Sequence, residues 1–144
     1  MRFWVGVFLG VRASLFILVE GGAGTGKTLL GIEFLVCGAK HYKEKGVFVS
    51  FEESPQVIQT NANGLPWNLQ HLVEKRMLEF LYTEQLEVIR GLVQGGIFLK
   101  TELVRHRRVH FIEVYKMRGT GYLPGCHLME VSGSGIKVFP RSGG

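Results

Sequence analysis

The chain has 144 residues, enough for one domain with its own core and too few for two ordinary ones. Hydrophobic residues make up 46% and charged residues 20%, which excludes a disordered chain, and the 20 glycines show no collagen-type period. A net charge of +5 permits anionic partners but does not choose between nucleic acid, phosphate ligands and simple solubility.

Residues 1–12 are expected to form an apolar N-terminal tail. Residues 3–10 and 13–19 together imitate a leader or a membrane span, but Arg12 interrupts them and neither reaches the roughly 20 residues a bilayer requires. The run also leads straight into a glycine loop, so cleavage would remove that loop's supporting strand. A cytoplasmic protein with no transmembrane segment is expected. Cys37 and Cys126 do not make a disulfide framework and are read as two buried thiols.

Residues 13–19 (ASLFILV) are β-rich and apolar throughout, the composition of a strand buried on both faces. After a loop at 20–26, Leu29, Leu30, Ile32, Phe34, Leu35 and Cys37 suit a well-buried helix ending near residue 41. A second strand follows Gly46 and ends at Glu52-Glu53. Ser54-Pro55 then supplies an N-cap and a first-turn proline, and residues 61–66 break the helix they start. Strand, helix, strand, helix implies parallel strands joined by a crossover.

The second half differs. Residues 69–74 and 84–93 read as helices with a short strand at 77–82 between them. From Gly95-Gly96 onward the pattern is antiparallel in character: 97–104 and 109–116 flank the basic turn at 105–108, and 127–131 and 136–139 flank a four-residue connection at 132–135. His106 and His110 near Arg107 and Arg108 lack the carboxylate or cysteine partners of a metal set, and are read as a solvated hairpin tip that nucleic acid is not expected to use.

Gly21-Gly22-Ala23-Gly24-Thr25-Gly26-Lys27-Thr28 fits G-x-x-x-x-G-K-[ST], the Walker A or P-loop pattern. Its glycines let successive N–H groups point into one concavity, and the following helix offers its N-terminus to the same anion. Lys27 is expected to reach the β- and γ-phosphates of ATP, the Thr28 hydroxyl to bind Mg²⁺, and Leu29 to complete the nucleotide contacts. Glu52 and Glu53, at a strand end, are candidate bases for an attacking water, against the alternative of a solvated helix-start acid. Lys116 and Arg118 share one strand face and are candidates to neutralise a transferring phosphate, against the alternative of a basic strand edge.

The stretch LFILVEGGAGTGKTLLGIEFLVCGAKHYKEKGVFVSFEESPQVIQTNANGLPWNLQHLVEKRML resembles the first half of a KaiC-type domain of the RecA-like ATPases. VHFIEVYKMRGTGYLPGCHLMEVSGSGIKVFP resembles that family's C-terminal β region. The resemblance implies a shortened α/β RecA-like core, with parallel strands, flanking helices and C-terminal antiparallel hairpins. It implies one domain over 1–144: a P-loop half at 13–79, a shortened connection at 80–102 and a β region at 103–140. It also implies that Gly21 to Thr28 hold ATP and Mg²⁺, that Glu52 and Glu53 match the catalytic glutamate pair, and that Lys116 and Arg118 match a basic pair reaching a neighbouring subunit's γ-phosphate. A histidine often follows the glycine-threonine of that basic run; Gly121 and Tyr122 stand here.

The departure lies in the middle, where the family carries a buried strand ending in the Walker B aspartate and at least one more core strand. All 12 acidic residues of this chain are glutamate, although average composition implies about nine aspartates in such a length. ATP binding is therefore expected to survive on local backbone while hydrolysis is weak or lost. The alternative is a non-catalytic module that co-assembles with full-length relatives, and a homo-oligomer or such a hetero-assembly is the expected partner state.

Overall fold

The computed structural model describes residues 2–10, 13–22, 24–85, 95–117 and 121–140, with backbone alone up to residue 16. Eleven elements follow in order: β1 (Arg2–Gly10), β2 (Ala13–Gly21), α1 (Lys27–Tyr42), β3 (Lys45–Ser50), α2 (Pro55–Ala62), α3 (Leu69–Glu74), β4 (Leu78–Tyr82), β5 (Gly95–Val104), β6 (Arg107–Met117), β7 (Cys126–Ser132) and β8 (Gly135–Phe139). The expected helix at 84–93 falls mostly outside the described residues, as does Arg118.

All eight strands form one sheet in the order β4-β3-β1-β2-β5-β6-β7-β8. The expected mixed α/β core is present: β3 pairs parallel with β4, β2 pairs parallel with β5, and β6, β7 and β8 form antiparallel hairpins. Two expectations change. Residues 2–10 are a strand and not a tail, pairing antiparallel with β2 on one side and β3 on the other. β2 and β3 therefore run in the same direction, as expected, without being neighbours. β5, read as antiparallel, is antiparallel only to β6; toward β2 it is parallel, with Gly21 level with Leu99.

The helices follow their local chemistry. In α1 the buried positions Gly31, Ile32, Leu35, Val36, Gly38 and Ala39 recur at helical spacing and face the sheet. α2 starts as expected: the Ser54 hydroxyl accepts the Val57 N–H at 3.3 Å, with Pro55 in the first turn. Ile17 and Val19 from β2, Phe48 from β3, Leu78 and Phe80 from β4, and Leu99 from β5 join α1, Ile58, Trp67 and Leu72 in one core. Phe48 and Phe80 meet with ring centroids 5.6 Å apart. Leu18 and Val49, one step along their strands, are buried too, so β2 and β3 are covered on both faces as their unbroken apolar runs imply.

Smaller differences follow from backbone geometry. Arg105 and His106 both take positive φ and close the β5–β6 hairpin in two residues, the mirror-image turn that matches strand twist. Gly133-Ser134 also closes its hairpin, between β7 and β8, in two residues where four were expected, with the positive φ at the following Gly135. Cys37 is exposed and Cys126 half-buried; both are free thiols, neither of them sealed in the core as expected. Desolvation first, and then the Glu33 carboxylate, push the Cys37 thiol above its ordinary range. Among the described residues no helix is long and apolar enough to cross a membrane.

Candidate functional site

β2 delivers the chain to Gly21, where the parallel partner β5 presses closest. A Cβ there would stand 2.7 Å from the Leu99 carbonyl oxygen and 2.7 Å from the Thr25 hydroxyl, so only glycine fits. Thr25 is buried and donates its hydroxyl to the Gly22 carbonyl at 2.8 Å, tying the loop across its own turn. Gly24 and Gly26 have φ of 75° and 89°, the left-handed region that turns successive N–H groups to one side. Ala23, between them, lies outside the described residues.

α1 begins immediately after Gly26, which gives it no side-chain cap. The first intrahelical bond runs from Leu30 N–H to the Gly26 carbonyl at 2.9 Å. The N–H groups that precede it receive no side-chain cap, so the helix presents the positive end of its dipole at the loop. Around Gly22 and Gly24 a Cβ would meet nothing within 4 Å, which marks the open side of the loop. Left-handed glycines, uncapped donors, an adjacent ammonium and open space together fit an oxyanion chain such as a triphosphate.

Lys27 donates to the Gly21 carbonyl at 3.2 Å and lies 3.8 Å from the Glu52 carboxylate, with the two side chains 11% and 38% exposed. Solvent around Glu52 screens the pair, leaving about 1 kcal/mol or less. Ser50, the last residue of β3, holds the acid pair in place: its buried hydroxyl accepts the Glu52 N–H at 3.3 Å and the Glu53 N–H at 3.0 Å. The sequence reading missed Ser50, although a serine two and three residues ahead of two N–H groups is a recognisable side-chain-to-backbone motif. Glu53 lines a cavity of about 200 Å³ with Thr28, Leu29 and Asn61 over Ile58 and Leu65. Thus Lys27 meets Glu52, while Thr28 and Leu29 share a cavity with Glu53.

The backbone of Lys116 lies elsewhere in the sheet. It pairs with Gly96, which pairs with Leu18, three residues short of Gly21. Strand rise puts it about 10 Å back from the loop, and strand spacing about 10 Å to the side. His106 lies at the tip of the β5–β6 hairpin, and the His110 ring is 3.2 Å from the Thr101 hydroxyl. Among the described residues no group of three or more His, Cys, Asp or Glu could hold a metal ion.

Comparison with known proteins bears on the whole arrangement. A family model for the KaiC ATPases matches residues 8–91, more than half of the chain. The chain is 53% identical over 73 residues to a circadian clock protein KaiC2 of Synechocystis sp., a match covering 49% of this chain and 13% of that protein. It is 49% identical over 72 residues to a circadian clock oscillator protein KaiC of Picosynechococcus sp., covering 50% and 14%. A KaiC of Nostoc sp. matches at 52% identity over the same shares. The matched stretch thus spans only about one-seventh of these relatives' length. The chain belongs to the KaiC family of ATPases.

Proposed function

We propose that this chain, read as one shortened domain over residues 1–144, binds ATP with Mg²⁺ on its Walker A loop and turns it over slowly or not at all. One observation carries the reading: two left-handed glycines feed an uncapped helix N-terminus with the Lys27 ammonium alongside. In this reading Gly21 to Thr28 cradle the phosphates with Leu29 against the nucleotide, Lys27 exchanges Glu52 and the Gly21 carbonyl for phosphate oxygens, and Thr28 takes the metal. Bound Mg²⁺ supplies charge neutralisation at the phosphates. Glu52 lies beside Lys27 and Glu53 lines a cavity with Thr28, and the chain has no aspartate to orient the metal. The protein then acts in the cytoplasm.

The test is Mg²⁺-ATP binding by calorimetry in the intact chain and in Lys27→Ala. Loss of a charged donor to phosphate costs about 1.5–3 kcal/mol, so affinity falls at least about tenfold. Equal affinity removes the loop from the function.

A second reading is supported by the position of Lys116. A cation about 10 Å back from its own loop is better placed to serve another subunit, so Lys116, with Arg118, acts in a neighbour's site within an assembly of KaiC-like subunits. Phosphate release no higher than in Lys27→Ala, together with faster turnover by a full-length relative on mixing, is the result this reading requires.

A further inference from the structure

The C-terminal β7–β8 hairpin meets α1 at Glu33, outside the Walker pattern, and the glycine loop at Gly26, within it. At the first, the Glu33 carboxylate accepts the Ile136 N–H at 2.7 Å across 103 residues of chain. Gly135, with φ of 127°, lets the hairpin turn close over that carboxylate: a Cβ on it would stand 2.4 Å from Glu33 Oε1. At the second, Gly26 rests on the hairpin, where a Cβ would stand 3.2 Å from Val131 Cγ2 and 3.7 Å from Met129 Cε.

The two contacts are one mechanical unit. Val131 and Ile136 are direct cross-strand partners, so the residue held by Glu33 is paired with the residue that supports Gly26. Gly26 and Glu33 are seven positions apart, two turns on one helix face, and a helical side chain leans toward the N-terminus, here toward the loop. β6 does not hold this end of the hairpin, because its pairing with β7 stops at Met129. Ser132 stiffens the turn itself, its hydroxyl donating to the Gly135 carbonyl at 3.3 Å and accepting the Ser134 N–H at 3.3 Å.

We infer that Glu33 is a positioning residue of the phosphate loop: it clamps the β7–β8 hairpin onto α1 so that Val131 and Met129 hold Gly26 in its left-handed conformation. The inference rests on the nucleotide-binding reading for its effect on affinity, but the clamp itself is independent of any ligand. A backbone N–H bound to a carboxylate is a strong, charge-assisted contact, and an amide oxygen in the same place still accepts it.

Two measurements on the full chain separate the clamp from the ligand. In hydrogen exchange without nucleotide, Glu33→Ala is expected to speed exchange of the Leu30 and Ile136 amides about tenfold or more, while the Phe48 and Val49 amides of β3 keep their protection and report an intact fold. Unchanged exchange at Leu30 and Ile136 overturns the inference whether or not ATP binds. In Mg²⁺-ATP binding, Glu33→Ala and Gly135→Ala are each expected to lose about tenfold and Glu33→Gln to stay within about threefold of the unmodified chain. Glu33→Gln falling as far as Glu33→Ala, or Glu33→Ala binding unchanged, overturns it. An unmodified chain that binds no ATP defeats the nucleotide reading, and the exchange result then decides the clamp alone.

Discussion

The phosphate-loop half of the molecule and its C-terminal β half are built at different ranges of sequence separation. Around the loop, Thr25 bonds Gly22, Ser50 bonds Glu52 and Glu53, and Lys27 bonds Gly21, each within six positions of chain, while Gly21 packs on Leu99 and Gly26 on Val131 from far along it. The β half meets α1 through a bond spanning 103 residues, and its strands leave Leu103, Leu128 and Phe139 exposed. Most of the core lies under the first half, with Phe48, Leu35, Ile58 and Leu72 buried there, and Leu99, Ile112 and Met129 join it from the second half. The hydrogen bonds that shape the loop are short-range, whereas the packing beneath Gly21 and Gly26 comes from β5 and the β7–β8 hairpin.

The sharpest test of that contrast is stability. Phe48→Ala, at 1% exposure, is expected to cost about 3–5 kcal/mol in urea unfolding, while Leu103→Ala, at 72% exposure, stays within about 0.5 kcal/mol. Comparable losses would mean that the β half shares the core equally. Next in size is Gly21→Ala, which drives a Cβ against the Leu99 backbone; about 1–3 kcal/mol of destabilisation and loss of ATP binding are expected. Gly22→Ala, facing open space, serves as its control and should melt like the unmodified chain.

A smaller effect is expected at Ser50. Ser50→Ala removes the acceptor of two N–H groups at the acid pair, costing about 1 kcal/mol, read as a lower melting temperature. Smallest of all is Lys116→Ala, which should leave ATP affinity of the isolated chain within about twofold. A tenfold loss there would place Lys116 in its own loop's site, against the sheet register.

Much of the first half could be read residue by residue. The phosphate loop, α1, the Ser54 cap with Pro55 behind it, and the burial of 17–19 follow from glycine conformations, helical spacing and capping chemistry within a dozen residues. Ser50 was equally readable and was overlooked. Residues 2–10 were misread because an apolar run carries no record of its partner: only a gap between β2 and β3 made it a strand. The same holds for β5, whose mixed pairing depends on β2 reaching it from 78 positions earlier, Ile17 against Gly95.

By itself the amino-acid sequence determined the position of the glycine loop, its lysine and the helix that follows, because glycine freedom and helical spacing are properties of neighbouring residues. The tertiary structure alone decided which strand fills the centre of the sheet, that Lys116 sits away from its own loop, and that Glu33 holds the hairpin beneath Gly26. Those outcomes depend on hydrogen-bond partners and packing surfaces supplied from far along the chain, which no local pattern of residues contains.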